Sequence, residues 1–198
     1  MSLISKMPEG GDFELAPAGL QLAICYSLVD VGWQKTTWSG TDKLQQKVAL
    51  SFELCNETMD DGRPFMITAY LTNSLSEKAI LRAHLEGWRG KAFTDKELAG
   101  FSLTNILGIA CTLNIIHEEN NGKHYANIKS ISGVMKGTTV PNPHNALICY
   151  DNDAPDGDVF ESLPKWLREK IENSVTVESA TPGIEDLPED EFSDDIPF

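Results

Sequence analysis

The sequence predicts a mainly β fold, a β-barrel with helices. Three observations carry this. Three consecutive runs alternate apolar and polar residues, a helix-forming run follows the third, and an Asn-Gly turn joins two further runs. In the first run, 20–28, Leu20, Leu22, Ile24, Tyr26 and Leu28 alternate with Gln21, Ala23, Cys25 and Ser27. In the second, 47–54, Val48, Leu50, Phe52 and Leu54 share one face, while Lys47, Ser51 and Glu53 share the other. The third, 65–71, is entered from the turn Asp60-Asp61-Gly62-Arg63-Pro64.

Ser76 then reads as a helix N-cap with Glu77 in the first turn, and the helix-forming run 77–86 ends at Gly87. Leu81, Leu85 and Trp88 fall close together on its wheel, with Lys78, Arg82 and Arg89 as a basic edge. A short second helix starts at Thr94, where Glu97 completes a capping box. Strand character returns at 111–118. Asn120-Asn121-Gly122-Lys123 is a hairpin turn, because Asn-Gly accepts the positive φ angles of a type I′ turn. In the return strand, 124–132, Tyr125, Asn127 and Lys129 share one face, and Ala126, Ile128 and Ser130 the other.

Three strands, a helix and a two-stranded hairpin is the order of an OB-fold, a five-stranded Greek-key barrel with a helix between strands 3 and 4. Closure would let the one apolar face of each strand fill the barrel interior. Beyond it, 137–145 reads as a loop, 146–150 as a further short strand, and 162–173 as one helix with Pro164 in its first turn. The expected organisation is a flexible lead-in at 1–18, the OB-fold nucleic-acid-binding domain at 19–150, a C-terminal extension with its helix at 151–173, and a disordered acidic tail at 174–198.

The formal net charge is −14, but it is not spread evenly. Residues 151–198 hold 15 acids and 3 bases, while 63–136 hold 9 bases and 6 acids. A low pI therefore does not exclude a nucleic-acid partner, since the local field decides. No apolar stretch is long enough to span a bilayer, so no membrane partner is expected, and 1–11 lack the order of a signal peptide. A cytoplasmic location follows as the expectation.

No phosphate-cradling loop, His-Glu-x-x-His or Gly-x-Ser-x-Gly is present, so no enzyme activity and no cofactor are expected. Cys25, Cys55, Cys111 and Cys149 are far apart and read as buried, reduced thiols. His117 and His124 flank the hairpin and read as a polar cross-strand pair in preference to a metal site. Asp151, Asp153, Asp156 and Asp158 lack the glycine and terminal glutamate of a calcium loop.

Single-stranded nucleic acid needs rings that stack on unpaired bases and cations that follow the phosphates. Trp88-Arg89-Gly90-Lys91-Ala92-Phe93 offers that mixture, with Arg82 on the same helix edge. Trp88 also continues the apolar face, which suits a core position equally well. Trp33, Lys35 and Trp38 form a similar mixture in a polar stretch, and Tyr125 and Lys129 lie on a strand face that could point outward. The candidate DNA contacts are Trp33, Lys35, Trp38, Arg82, Trp88, Arg89, Lys91, Tyr125 and Lys129.

The chain ends in acids closed by an apolar plug: Asp194, Asp195, Ile196, Pro197 and Phe198. An apolar anchor with flanking negative charge suits docking into a basic-rimmed pocket. This peptide resembles the C-terminal peptide of bacterial single-stranded-DNA-binding proteins, which recruits replication and repair enzymes. The segment from Leu81 to Thr94, with Asn105-Ile106-Leu107-Gly108, Tyr125-Ala126-Asn127-Ile128 and Leu163-Pro164-Lys165-Trp166-Leu167, resembles a bacteriophage replication-associated family over roughly 80–175. That resemblance implies an OB-fold protein that coats single-stranded DNA during phage replication or recombination, in the host cytoplasm. It also implies replication or recombination proteins as partners of the tail. It leaves the oligomeric state open and assigns no individual DNA contact. The alternative is an OB-fold adaptor that binds protein and not DNA.

Overall fold

The computed structural model describes residues 14–38 and 41–175. The protein is mainly β, and the described residues form six strands in one sheet and four short α-helices. In chain order the strands are β1 (Gly19–Trp38), β2 (Thr41–Thr58), β3 (Pro64–Thr72), β4 (Ala110–Asn120), β5 (Lys123–Ser132) and β6 (Ile148–Tyr150). The helices are α1 (Ile80–Arg89), α2 (Asp95–Leu98), α3 (Gly157–Ser162) and α4 (Lys165–Glu172). Strands follow the order β3-β2-β1-β4-β5, all antiparallel, and β6 adds in parallel to β1.

β1 is the strand on which this arrangement turns. Its first part, Gly19 to Ile24, pairs with β4, and from Ala23 onward it pairs with β2. Two bulges, between Cys25 and Ser27 and between Asp30 and Gly32, re-aim it along the way. β6 takes the edge that β4 leaves, opposite Ser27 to Val29. The far parts of β1 and β2 continue together as a two-stranded arm up to Trp38 and Thr41.

β2 buries the face its period marks, but β1 does not: Ala23 and Cys25 turn inward, Leu28 joins them past the bulge between Cys25 and Ser27, and Leu20 is 74% exposed. Ala23, Cys25, Leu28, Val48, Leu50, Phe52, Leu54, Cys111, Leu113 and Ile115 turn into one core, which Leu81, Leu85 and Trp88 of α1 close. Phe52 and Trp88 meet there with ring centroids 5.7 Å apart. A second, smaller core lies on the other face of β1 and β2. In it Val29, Val31 and Ala49 pack against Tyr150 of β6 and against Leu163, Leu167 and Ile171 of the C-terminal extension.

Several expectations need correction in detail. The strands are longer than the alternating runs, since the polar arm residues pair as well as the apolar ones. Ser76 does not cap α1; the helix starts at Ile80 with Ala79 at its N-cap and no side-chain cap. Nor does Gly87 end it. The helix passes through Gly87, where only a hydrogen fits: a Cβ would stand 2.4 Å from the carbonyl oxygen of Ile131. Gly90, in the left-handed region, is the true end. The single C-terminal helix is two, with Asp156 capping α3 through the N–H groups of Asp158 and Val159, and Pro164 at the N-cap of α4.

Other readings match. Thr94 and Glu97 form the capping box of α2. Asn121 and Gly122, with φ of 51° and 77°, make the two-residue turn between β4 and β5. On β5 the inward phase breaks at Lys129, the extra residue of a bulge opposite Asn114 and Ile115. Ile131, not Ser130, therefore turns into the core. His117 and His124 do not face each other, for their partners are Ala126 and Glu119. His117 instead bonds the carbonyl oxygen of Ala16 at 2.8 Å. All four cysteines are free; Cys25 and Cys111 are buried, but Cys149 is exposed. Among the described residues no helix is long and apolar enough to cross a membrane.

Candidate nucleic-acid interface

The candidate residues fall into two groups. Arg82, Trp88, Arg89 and Lys91 belong to α1 and the turn after it, and α1 packs on β5, which carries Tyr125 and Lys129. Trp33 and Lys35 belong to the arm, beyond the last β1 residue that pairs with β4.

Trp88 is in the core. Only 7% of it is exposed, and its indole N–H donates to the carbonyl oxygen of Ala110 at 2.9 Å. The cations around it are matched by acids. Arg82 Nε donates to Glu86 at 3.0 Å. Arg89 bonds Glu97, and its guanidinium stacks 4.3 Å from the ring centroid of Phe93 and 5.2 Å from that of Phe101. Lys91 stands 3.5 Å from Glu97. The Thr94 N–H, then its hydroxyl and the neighbouring Arg89 and Lys91, pull the Glu97 carboxyl down to about 2 against the opposing effect of burial. The N–H of Phe93, then Arg82, hold that of Glu86 below its usual range. The sequence motif that reads as a stacking platform is thus a folded corner in which Glu86 pairs with Arg82, and Glu97 with both Arg89 and Lys91.

On the arm, Trp33 is half-buried, opposite Gln46, and its carbonyl oxygen accepts from the N–H of Val175 at 2.9 Å. Lys35 is exposed and pairs with Asp42 at 2.6 Å. Trp38 pairs through its backbone with Thr41, and its side chain lies outside the described part of the structure. Tyr125 is half-buried and Lys129 exposed on β5. Residues 1–13 and 176–198, the latter with Asp194, Asp195, Ile196, Pro197 and Phe198, lie outside the described residues.

A surface that sequence reading missed lies on the outer face of β2 and β3. There Met66, Thr68, Tyr70 and Thr72 alternate with the inward Phe65, Ile67, Ala69 and Leu71. The Tyr26 hydroxyl donates to Met66 Sδ at 3.3 Å, and the hydroxyls of Ser51 and Thr68 meet at 2.9 Å. At one end the Glu53 carboxylate accepts the N–H groups of His144 and Asn145 at 2.6 and 2.8 Å, which ties the loop before β6 to the sheet. At the other end α4 sets Trp166 edge-on to Tyr70, with ring centroids 6.3 Å apart. Lys47 Nζ donates to Thr72 Oγ1 at 2.9 Å and lies 5.7 Å from the Tyr70 ring centroid, and Lys170 Nζ lies 5.6 Å from it. Tyr70 and Lys47 were legible as outward positions of alternating runs. Trp166 and Lys170 were not, because nothing local says which strand a C-terminal helix will cover.

Among the described residues no group of three or more His, Cys, Asp or Glu side chains could hold a metal ion. A scan against protein-family models finds no match, and a search of curated proteins finds none either.

Proposed function

We propose that the protein binds single-stranded DNA without sequence preference, through an OB-fold body, and recruits replication or recombination proteins through its acidic C-terminal tail. The observation that carries this is the strand path. The order β3-β2-β1-β4-β5, with α1 between β3 and β4, is compatible with an OB-fold opened between its third and fifth strands, and supports that reading. β3 and β5, the ends of that path, approach one another without pairing. The segregation of charge supports the same reading: 151–198 hold 15 of the chain's 30 acids and leave the body near neutral. The resemblance of 80–175 and of the terminal peptide to phage and bacterial proteins that coat single strands points the same way.

The test is a titration of intrinsic tryptophan fluorescence with oligo-dT at several salt concentrations. Tight, salt-sensitive binding to oligo-dT and weak binding to duplex are expected. Equal affinity for both, or no binding at low salt, would sink the proposal. The double variant Trp33→Ala, Trp38→Ala should lose affinity without losing the fold.

The pairing of Arg82, Arg89 and Lys91 with Glu86 and Glu97 favours the second reading, a protein-binding adaptor whose barrel does not engage DNA. An intact fold with no oligo-dT binding, together with a partner retained by the tail, would select it.

A further inference from the structure

We infer that the cleft between β1, the end of β6 and the turn Leu103–Ile106 is a docking pocket for one arginine side chain of a partner protein. It is a contact of the body, separate from the acidic tail and independent of the DNA-binding reading above.

The register of two strands builds the site. β6 runs parallel to β1 with Tyr150 opposite Val29, so Asp151 and Asp30 leave the paired stretch side by side. The bulge between Asp30 and Gly32 turns β1 there, and the Gly32 N–H donates to Asp30 Oδ1 at 2.9 Å. Among the described residues Asp30 Oδ2 has only the Gln46 amide, at 3.5 Å. Asp151 uses Oδ1 for the Asp153 N–H, at 2.9 Å. Burial pushes the Asp30 carboxyl above its usual range, the Gly32 N–H opposes that, and Asp153 and Asp151 push it further. Like charges so placed repel. Among the described residues no cation forms an ion pair with any of the three. The fold therefore leaves negative charge at this cleft that its own side chains do not offset, and a cation from outside would.

Shape selects the cation. The cleft holds about 170 Å³. Sites that enclose a whole small molecule run to about 300–1,000 Å³, so this one has room for a single side chain. Buried Leu28, Val48 and Tyr150, with Leu103, give it apolar walls on which a methylene stem packs. Asn73 and Thr104 line its exposed rim and add neutral acceptors to the two carboxylates. A guanidinium carries its N–H donors in a rigid fork that matches several acceptors at once, whereas an ammonium is a strongly hydrated point charge. Among the described residues no three His, Cys, Asp or Glu side chains converge to hold a metal ion. Arginine is also the charged residue enriched among interface anchors.

The test follows amide NMR shifts of the isotopically labelled full chain during titration with N-acetyl-arginine amide. N-acetyl-lysine amide supplies the point charge, and N-acetyl-citrulline amide the neutral isostere. The arginine probe should give saturable shifts clustered at 28–30, 103–104 and 149–151. The lysine probe should bind at least about threefold more weakly. The citrulline probe should bind about tenfold more weakly or worse, because the charge-assisted hydrogen bonds are lost. Asp30→Asn and Asp151→Asn should each weaken the arginine probe about fivefold to tenfold. Asparagine keeps an oxygen for the backbone N–H at each position, and unfolding curves verify the fold. Glu119→Gln removes the same charge from an exposed site on β4 and should change affinity by less than about twofold. No saturation with the arginine probe, equal binding of the citrulline probe, undiminished binding in both aspartate variants, an equal loss in Glu119→Gln, or shifts solely elsewhere would overturn the pocket. Tighter saturation of the same amides by magnesium or calcium would also overturn it, in favour of an inorganic cation. Oligo-dT binding is read separately and stands or falls by its own titration.

Discussion

The indole N–H of Trp88 donates to the carbonyl oxygen of Ala110 at 2.9 Å, and so joins the last turn of α1 to the first residue of β4. That bond accounts for a tryptophan at the end of an apolar helix face: the ring fills the core beside Phe52, and its one polar atom still finds an acceptor. Trp88→Phe should cost about 2 kcal/mol by leaving a buried carbonyl without its donor. Trp88→Ala should cost about 3–5 kcal/mol through the cavity it opens. Urea unfolding measures both, and oligo-dT affinity of the folded Trp88→Phe protein should be unchanged. A loss of affinity with unchanged stability would move Trp88 from the core to the interface.

Arg89 invites the same question. Its guanidinium lies between Phe93 and Phe101 and bonds Glu97, with only 14% of the side chain exposed. Arg89→Ala should destabilise the protein by about 2 kcal/mol, because it removes stem packing and a cation–π contact together. Lys91→Ala, at an exposed pair, should cost less than about 1 kcal/mol. Equal effects of the two on thermal unfolding would show that the corner is not what holds Arg89.

Glu53 is 3% exposed and accepts two backbone N–H groups and the Asn145 side-chain amide. Glu53→Gln replaces one acceptor oxygen with an N–H₂ that faces a donor. It should cost about 2 kcal/mol, as for hydrogen bonds to a charged group. It should also speed proteolytic nicking in the loop 137–147. Unaltered cleavage there would mean that other contacts hold the loop.

His84 is buried on α1, and desolvation pushes its pKa from 6.5 down to about 4. Between those values the unfolded chain binds the proton and the folded one does not, so stability falls as pH drops from 6.5 towards 4. The loss should approach about 3 kcal/mol at the acid end. His84→Gln should flatten that stretch of the stability profile relative to the wild type, as read by urea midpoints at each pH. Parallel profiles would show that His84 is not the titrating group.

Local chemistry carries much of this fold by itself. The period-2 runs mark five strands, because one face of each meets a core. Asn121-Gly122 sets the hairpin through its φ angles, and Thr94 with Glu97 starts α2 through bonds that close within four residues. The apolar stripe of α1 was legible for the same reason. What tertiary structure alone decided is who meets whom across the chain. The sequence shows that Arg82, Arg89 and Lys91 are cations, but only the fold brings Glu97 against two of them. It shows Trp88 on a helix face that suits core and surface alike, and the proximity of Ala110 decided for the core. It shows Tyr70 and Trp166 as separate aromatics, 96 positions apart, which meet because α4 covers the sheet. Strand and turn preferences are properties of neighbouring residues, whereas a pairing across the chain depends on how the whole backbone is routed.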